Sequence, residues 1–205
     1  MKEERVFIDC GEIRLEGLLD DSPGDRALLM THPHSLYGGE MHNNVVEAVV
    51  RAYREKNYAT LRFNFRGVGA SGGSFGEGIA EQEDVKAALE HLVSMGKAKI
   101  DLGGYSFGAW VCAHGLEGYP QVRRVLMVSP PVSAMDMSDV GHCDKFRLII
   151  GGSRDDIGDI SRIRDLIPRW NTGISLEIIE GADHFYGGMT GEIQRIVREF
   201  LEGEP

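Results

Sequence analysis

The sequence predicts an α/β fold with a mostly parallel central sheet and helices on both of its faces. From residue 27 onward, short apolar stretches typical of buried strands alternate with amphipathic helical patterns about five times. Such alternation favours parallel strands that are connected by helices. The 27 glycines also cluster at the apparent strand ends. Because ligands bind at the carboxyl ends of the strands in such sheets, we expect a functional site built from the loops there.

The first two predicted strands differ from the others. Residues 5–9 and 13–19 alternate imperfectly between apolar and polar side chains, as is typical of an edge hairpin. The next strand, residues 27–30, is apolar throughout, which predicts burial on both faces. The remaining strands are expected at residues 59–63, 98–102, 125–128, 146–150 and 174–179.

Five helices are predicted from apolar residues that recur at helical spacing. They lie within or near residues 45–53, 85–93, 109–117, 157–170 and 193–201. Either Asn43 or Asn44 has a side chain suited to cap the first of them. A long loop with six glycines, residues 66–78, precedes the second.

Composition and charge exclude several classes of protein. A chain of 205 residues is long enough to fold as one domain, spanning residues 1–205, without disulfide bonds. Its three cysteines are an odd and widely spaced set, which favours reduced thiols. The formal charge of −10 argues against nucleic-acid binding. The sequence has neither a signal peptide nor an apolar run long enough to cross a membrane, so we expect a cytoplasmic protein.

The most informative motif is Gly104-Tyr105-Ser106-Phe107-Gly108. It lies between a predicted strand and a predicted helix. A serine at such a corner is held in a cramped backbone conformation that exposes its hydroxyl, and the glycines leave room for the turn. We therefore consider Ser106 a candidate nucleophile.

A serine nucleophile needs a base, and the base needs an acid to orient it. On this architecture the chain order is serine, acid, histidine, each in a loop after a strand. Asp155 and His184 follow the 146–150 and 174–179 strands and satisfy that order. Asp156 and Asp136 remain alternatives for the acid.

Attack on a carbonyl carbon creates a negative oxygen that needs two hydrogen-bond donors. One is expected to be the backbone amide of Phe107, directly after the serine. The other is expected from the loop after the 27–30 strand, where we favour the amide of His34 over that of Ser35. Pro33 has no amide hydrogen to donate.

Two other patterns carry less weight. Gly67, Gly69 and Gly72 match a dinucleotide fingerprint, but no helix begins at the last glycine and no acidic residue stands at a strand end about 20 residues on. Ser71 lies in a second Gly-x-Ser-x-Gly pattern that no helix follows. Neither His32-x-His34 nor His142-Cys143 supplies the three or four convergent ligands that zinc requires, so no metal site is predicted.

Together these motifs resemble the α/β-hydrolase superfamily, in particular small bacterial and archaeal members without a cap, near the dienelactone-hydrolase-like group. The segments that carry the resemblance are His32-Pro33-His34 with Gly38-Gly39, residues 61–69 with Ser71, residues 104–108, and residues 181–185. The resemblance implies an α/β-hydrolase fold, a nucleophile at Ser106, a base at His184, an acid at Asp155 and no cofactor. The Asp156-Ile157 pair after Asp155 departs from the usual pattern, which leaves the choice between Asp155 and Asp156 open.

Only residues 129–145 separate two successive strands at the point where many superfamily members insert a lid. That length is too short for a lid domain and predicts an open pocket. We expect the pocket to be bounded by aromatic residues and prolines, namely Tyr37, Phe75, Pro130-Pro131 and Phe185-Tyr186.

The sequence therefore predicts a serine hydrolase that cleaves a small ester through an acyl-enzyme, as a carboxylesterase does. A thioesterase or a peptidase with the same three residues is an alternative, as is a non-catalytic binding protein on the same fold. The expected partner is a small-molecule ester or acyl substrate. The natural substrate, the acyl length and the oligomeric state stay open.

Overall fold

A computed structural model describes residues 3–203. Its eight strands form one sheet in the order β1-β2-β4-β3-β5-β6-β7-β8. The strands are β1 Glu4–Cys10, β2 Ile13–Asp20, β3 Arg26–Thr31, β4 Ala59–Phe63, β5 Lys99–Tyr105, β6 Val122–Val128, β7 Phe146–Gly152 and β8 Ser175–Ile179. The helices are α1 Asn44–Glu55, α2 Ile79–Ser94, α3 Phe107–Gly115, α4 Ile160–Trp170 and α5 Thr190–Glu202.

The sheet confirms the predicted fold class. The β1–β2 hairpin is antiparallel and joins the rest of the sheet through antiparallel pairing of β2 with β4. The other six strands pair in parallel. Their carboxyl ends therefore lie along one edge of the sheet, and the loops that leave those ends meet there.

Each face of the sheet is covered by its own hydrophobic core. Along β3, Leu28 and Met30 face the core formed with α1 and α5, whereas Leu29 between them faces the core formed with α2, α3 and α4. This division follows from the alternation of side chains along a strand. Burial on both faces explains why the central strands are apolar throughout.

The structure corrects two predicted boundaries beside Ser106. Strand β5 does not end at Leu102 but continues to Tyr105, because Gly103 and Gly104, which suggest a turn in the sequence, pair with β3 and β6. Helix α3 ends at Gly115 and is followed by a short 3₁₀ turn to Gly118. Asn43 provides the predicted cap of α1.

No lid covers the carboxyl edge within residues 3–203, since the segment between β6 and β7 contains neither helix nor strand. Among the described helices, none is long and apolar enough to cross a membrane.

The loop after β3 is held in place by His32, of which only 1% is exposed. Its Nδ1 lies 2.6 Å from the carbonyl oxygen of Pro33, and its Nε2 accepts a hydrogen bond of 3.0 Å from the amide of Phe65. A carbonyl oxygen only accepts and an amide only donates, so the imidazole is neutral with its proton on Nδ1. Since carbonyl and N–H of one trans peptide point in opposite directions, this contact also fixes the amide of His34.

Burial lowers the pKa of His32 to about 4 from its ordinary value of 6.5, although the Pro33 carbonyl opposes the shift. At a pH between these two pKa values, the imidazole of His32 binds a proton in the unfolded chain but not in the folded chain. Neutral His32 therefore does not reduce the free energy of unfolding above pH 6.5. As the pH falls to 4, protonation of His32 in the unfolded chain lowers that free energy by up to about 3 kcal/mol.

His32→Gln removes this titration but keeps an oxygen that can accept from Phe65. We expect the difference in unfolding free energy between wild type and variant to be largest at pH 7 and to shrink as the pH falls to about 4.5. Urea unfolding at several pH values measures this difference in unfolding free energy. A difference that stays constant with pH would contradict the role given to His32.

Candidate active site

Ser106 occupies a strained turn between β5 and α3. Its φ of 53° lies in the left-handed region, which non-glycine residues rarely adopt and which costs about 1–3 kcal/mol. A Cβ at Gly104 would lie 2.6 Å from the backbone of Ala109, and one at Gly108 would lie 2.7 Å from the carbonyl oxygen of His32. The two glycines of the motif are therefore required by the close approach of α3 to β3 and β5.

The structure brings Ser106, His184 and Asp155 together, although they lie far apart in the chain. Nε2 of His184 is 2.9 Å from Oγ of Ser106, and its Nδ1 is 2.9 Å from each carboxylate oxygen of Asp155. All three residues are buried. The carboxylate can only accept, so Nδ1 carries the proton and Nε2 is free to accept the serine proton.

The carboxylate of Asp155 is fully hydrogen-bonded. Its Oδ1 accepts from the amides of Ile157 and Gly158 at 2.9 and 2.7 Å, and its Oδ2 accepts from Oγ of Ser129 at 2.6 Å. Burial opposes ionisation, but the hydrogen bonds from His184, Ser129 and Gly158 outweigh it and lower the pKa of Asp155 below its ordinary value. Asp155 is thus held as a carboxylate beside the imidazole.

The other acidic candidates lie elsewhere. Asp156 is exposed. Asp136 is exposed as well, and its carboxylate accepts from the amide of Ser138. Asp183, next to the histidine, accepts from the amides of Phe185 and Tyr186 and so holds its own loop. Of these aspartates, the structure places Asp155 alone within hydrogen-bonding distance of His184.

Two backbone amides close to Ser106 are the candidate donors to a negative oxygen. Phe107 is the first residue of α3, where amides lack partners within the helix. His34 precedes the 3₁₀ turn of residues 35–37, and the rings of His34 and Phe107 lie 4.7 Å apart. Within residues 3–203, neither amide has a backbone acceptor.

Ser106 opens into a cavity of about 630 Å³. Most of its lining is apolar or aromatic, and it includes no Asp, Glu, Lys or Arg among the described residues. The lining residues are Pro33, His34, Tyr37, Gly39, Asn43, Tyr105, Ser106, Phe107, Pro131, Ala134, Met135, Ile157, His184 and Phe185.

The aromatic residues expected at the pocket divide into two groups. Tyr37 and Phe185 line it and are 88% and 67% exposed. Phe75 does not line it but packs against the rings of His34 and Phe107. Tyr186 does not line it either and is fully buried, with its hydroxyl oxygen 2.6 Å from Oγ of Ser129.

The second glycine-serine pattern has a structural role. Oγ of Ser71 donates to the carbonyl of Asn64 at 2.7 Å and accepts from the amide of Glu16 at 2.9 Å, which ties the glycine-rich loop to β2. Arg66 anchors the same loop through a 2.7 Å ion pair with Asp84 on α2. No group of three potential metal ligands occurs among the described residues.

Sequence reasoning missed Ser129, which follows β6 and donates to Asp155. The only signal for it was its place at the end of a strand, since a lone serine carries no motif. Tyr105 was also missed as a support for the site: its hydroxyl donates to the carbonyl of His184 at 2.6 Å.

Comparison with known proteins identifies the family of the chain. Residues 28–203 match the sequence model of the alpha/beta hydrolase family. An uncharacterized protein of Rickettsia prowazekii is 34% identical over 209 residues, which cover 96% of this chain and 88% of that protein.

Two solved structures share the whole fold. An alpha-beta serine hydrolase homologue from Coxiella burnetii has 29% identity and a TM-score of 0.90, with 98% of each chain covered. A serine hydrolase without lid from Xanthomonas campestris has 30% identity and a TM-score of 0.85, covering 100% of this chain and 98% of its own. From the match over most of its length, together with the shared fold, it follows that the chain belongs to the alpha/beta hydrolase family and is a hydrolase.

Proposed function

We propose that this protein is a serine hydrolase that cleaves small esters through an acyl-enzyme. The observation that carries the proposal is the continuous hydrogen-bond chain from Ser106 through His184 to Asp155. Serine is a weak nucleophile near neutral pH, and this arrangement supplies the base and the orienting carboxylate that it needs.

Each step of the reaction uses groups of this chain. Nε2 of His184 takes the proton of Ser106 as Oγ attacks the ester carbonyl, and Asp155 stabilises the imidazolium that forms. The imidazolium then gives its proton to the leaving alcohol, and an acyl group remains on Ser106. Water attacks this acyl-enzyme with His184 again as the base, which releases the acid and restores the serine.

The negative oxygen of each tetrahedral intermediate is assigned to the amides of Phe107 and His34. The Phe107 amide lies at the amino terminus of α3, where the helix dipole also favours negative charge. The His34 amide is fixed through the contact of His32 with Pro33. Loss of one such donor typically costs about 3 kcal/mol of transition-state stabilisation.

The pocket indicates the kind of acyl group that is accepted. Its lining is mainly apolar and includes no Lys or Arg within the described chain. A charged acyl group would lose its hydration without gaining a partner of opposite charge. The open mouth beside Tyr37 and Phe185 leaves room for an alcohol group outside the cavity. We therefore assign neutral, apolar acyl esters as substrates.

A fluorophosphonate probe tests the nucleophile, because it reacts only with an activated serine. We expect labelling of the wild type and of Ser71→Ala, and none of Ser106→Ala. Hydrolysis of p-nitrophenyl butyrate by Ser106→Ala should fall by at least about a thousandfold. An unlabelled wild type that also leaves short esters intact would overturn the proposal.

Two neighbouring aspartates provide a matched pair for the acid. Asp155→Asn removes the carboxylate that contacts His184 and should lower kcat by about 10⁴-fold, whereas Asp156→Asn changes an exposed side chain and should leave kcat within about twofold. Steady-state kinetics measures both. Loss of activity in Asp156→Asn alone would show that the assignment is wrong.

A pair of esters tests the charge preference. We expect kcat/KM for p-nitrophenyl butyrate to exceed that for the p-nitrophenyl monoester of succinate by at least about tenfold, since the second buries a carboxylate. Ala134→Arg places a cation at the exposed rim of the pocket and should lower the ratio of the two kcat/KM values. Ala134→Gln, which lengthens the side chain without adding a charge, should leave this ratio unchanged. Equal rates for both esters in the wild type would contradict the preference.

A further inference from the structure

The hydrogen-bond chain of the site does not end at Asp155. Oγ of Ser129 lies 2.6 Å from Oδ2 of Asp155 and 2.6 Å from the hydroxyl oxygen of Tyr186. Because an ionised carboxylate only accepts, the Ser129 hydroxyl donates to it, and the Tyr186 hydroxyl must then donate to Ser129. Five groups thus form one chain of hydrogen bonds from Tyr186 to Ser106, in which the donors on both sides point toward Asp155.

The outer two groups are completely shielded from water. Ser129 and Tyr186 are both 0% exposed. Burial raises the pKa of Tyr186, so its hydroxyl keeps the proton that it donates. A hydroxyl that donates to a carboxylate in such surroundings forms a short, charge-assisted bond, in agreement with the 2.6 Å distance.

The backbone is strained at the same places. Among the described residues, five non-glycine residues have a positive φ, and three of them are Ser106, Ser129 and Tyr186. Such conformations persist only where the surrounding structure imposes them, and they concentrate at functional sites. The end of β6 links Ser106 and Ser129. The carbonyl oxygen of Val128 accepts from the Ser106 amide, and the amide of Ser129, the next residue, donates to the carbonyl oxygen of Ile150 on β7.

We propose that Ser129 and Tyr186 are positioning residues, which hold the carboxylate of Asp155 in the orientation that serves His184. This inference rests on the proposed function. The two amides of residues 157 and 158 fix Oδ1, and Ser129 fixes Oδ2. The carboxylate is thereby prevented from rotating away from the imidazole. Neither Ser129 nor Tyr186 lines the pocket, so they act on turnover and not on substrate binding.

Three variants test the proposal. Ser129→Gly removes the hydroxyl and suits the φ of 44°, while Tyr186→Phe removes only a hydroxyl and keeps the ring. Tyr53→Phe is the matched control, because the buried hydroxyl of Tyr53 also donates to a carboxylate, that of Asp101 near the opposite end of β5.

We expect kcat to fall about tenfold in Ser129→Gly and about threefold in Tyr186→Phe, with KM unchanged in both. Tyr53→Phe should keep the wild-type kcat.

The pH profile gives a second readout, which a merely structural role would not move. The bond from Ser129 lowers the pKa of Asp155, so loss of this bond should raise the pKa of Asp155 and change the carboxylate that His184 contacts. The acidic limb of kcat/KM should then move to higher pH by about half a unit. Of the titratable groups that face this pair, Tyr105 and Asp183 are the same in all variants, and Tyr186 changes only in Tyr186→Phe.

Unchanged kcat and unchanged pH profiles in folded Ser129→Gly and Tyr186→Phe would overturn the inference, as would an equal fall in Tyr53→Phe. A measurement without turnover separates this result from failure of the proposed function. In Ser106→Ala, the Nδ1 proton of His184 should resonate at a different chemical shift once Ser129→Gly is added. An identical shift with and without the Ser129 hydroxyl would overturn the positioning role, whether or not the wild type cleaves esters.

Discussion

The site depends on the backbone turn at Ser106. A residue with a positive φ joins β5 directly to α3, and the helix lies so close to the strands that Gly104 and Gly108 have no room for a Cβ. This close packing puts the amide of Phe107 beside the hydroxyl of Ser106. The proposed nucleophile and one proposed oxyanion donor are therefore set by one backbone segment, and the parallel sheet fixes where the other groups must approach.

Asp155 shows how the fold stabilises a buried charge. A carboxylate without partners would be neutral at such a place, because burial favours the protonated form. Here two amides, one hydroxyl and one imidazole supply hydrogen bonds to its two oxygens. None of these partners is a lysine or an arginine, so in the proposed mechanism the charge remains available to stabilise the imidazolium of His184.

Much of this arrangement could be predicted from the sequence, because buried parallel strands are apolar and their carboxyl ends must lie together. Ser106, Asp155 and His184 each follow such a strand, and the structure brings all three into contact. The limits of β5 could not be predicted, because Gly103 and Gly104 suggest a turn although they continue the strand. Nor could the burial of Tyr186 be predicted, since its contact with Ser129 joins two loops that are far apart in the chain.

Two buried histidines, His32 and His184, show how surroundings decide the role of a side chain. His32 touches a carbonyl and an amide, and neither would stabilise a cation there as a carboxylate does. Burial lowers its pKa to about 4, so it stays neutral and serves as a rigid link between two loops. His184 has the Asp155 carboxylate at 2.9 Å, which in the proposed mechanism stabilises the positive charge that arises when His184 takes the serine proton. Of the two, His184 alone has both a serine hydroxyl and a carboxylate within hydrogen-bonding distance. The proposed role of base and the role of structural link thus follow from hydrogen-bond partners, not from the kind of residue.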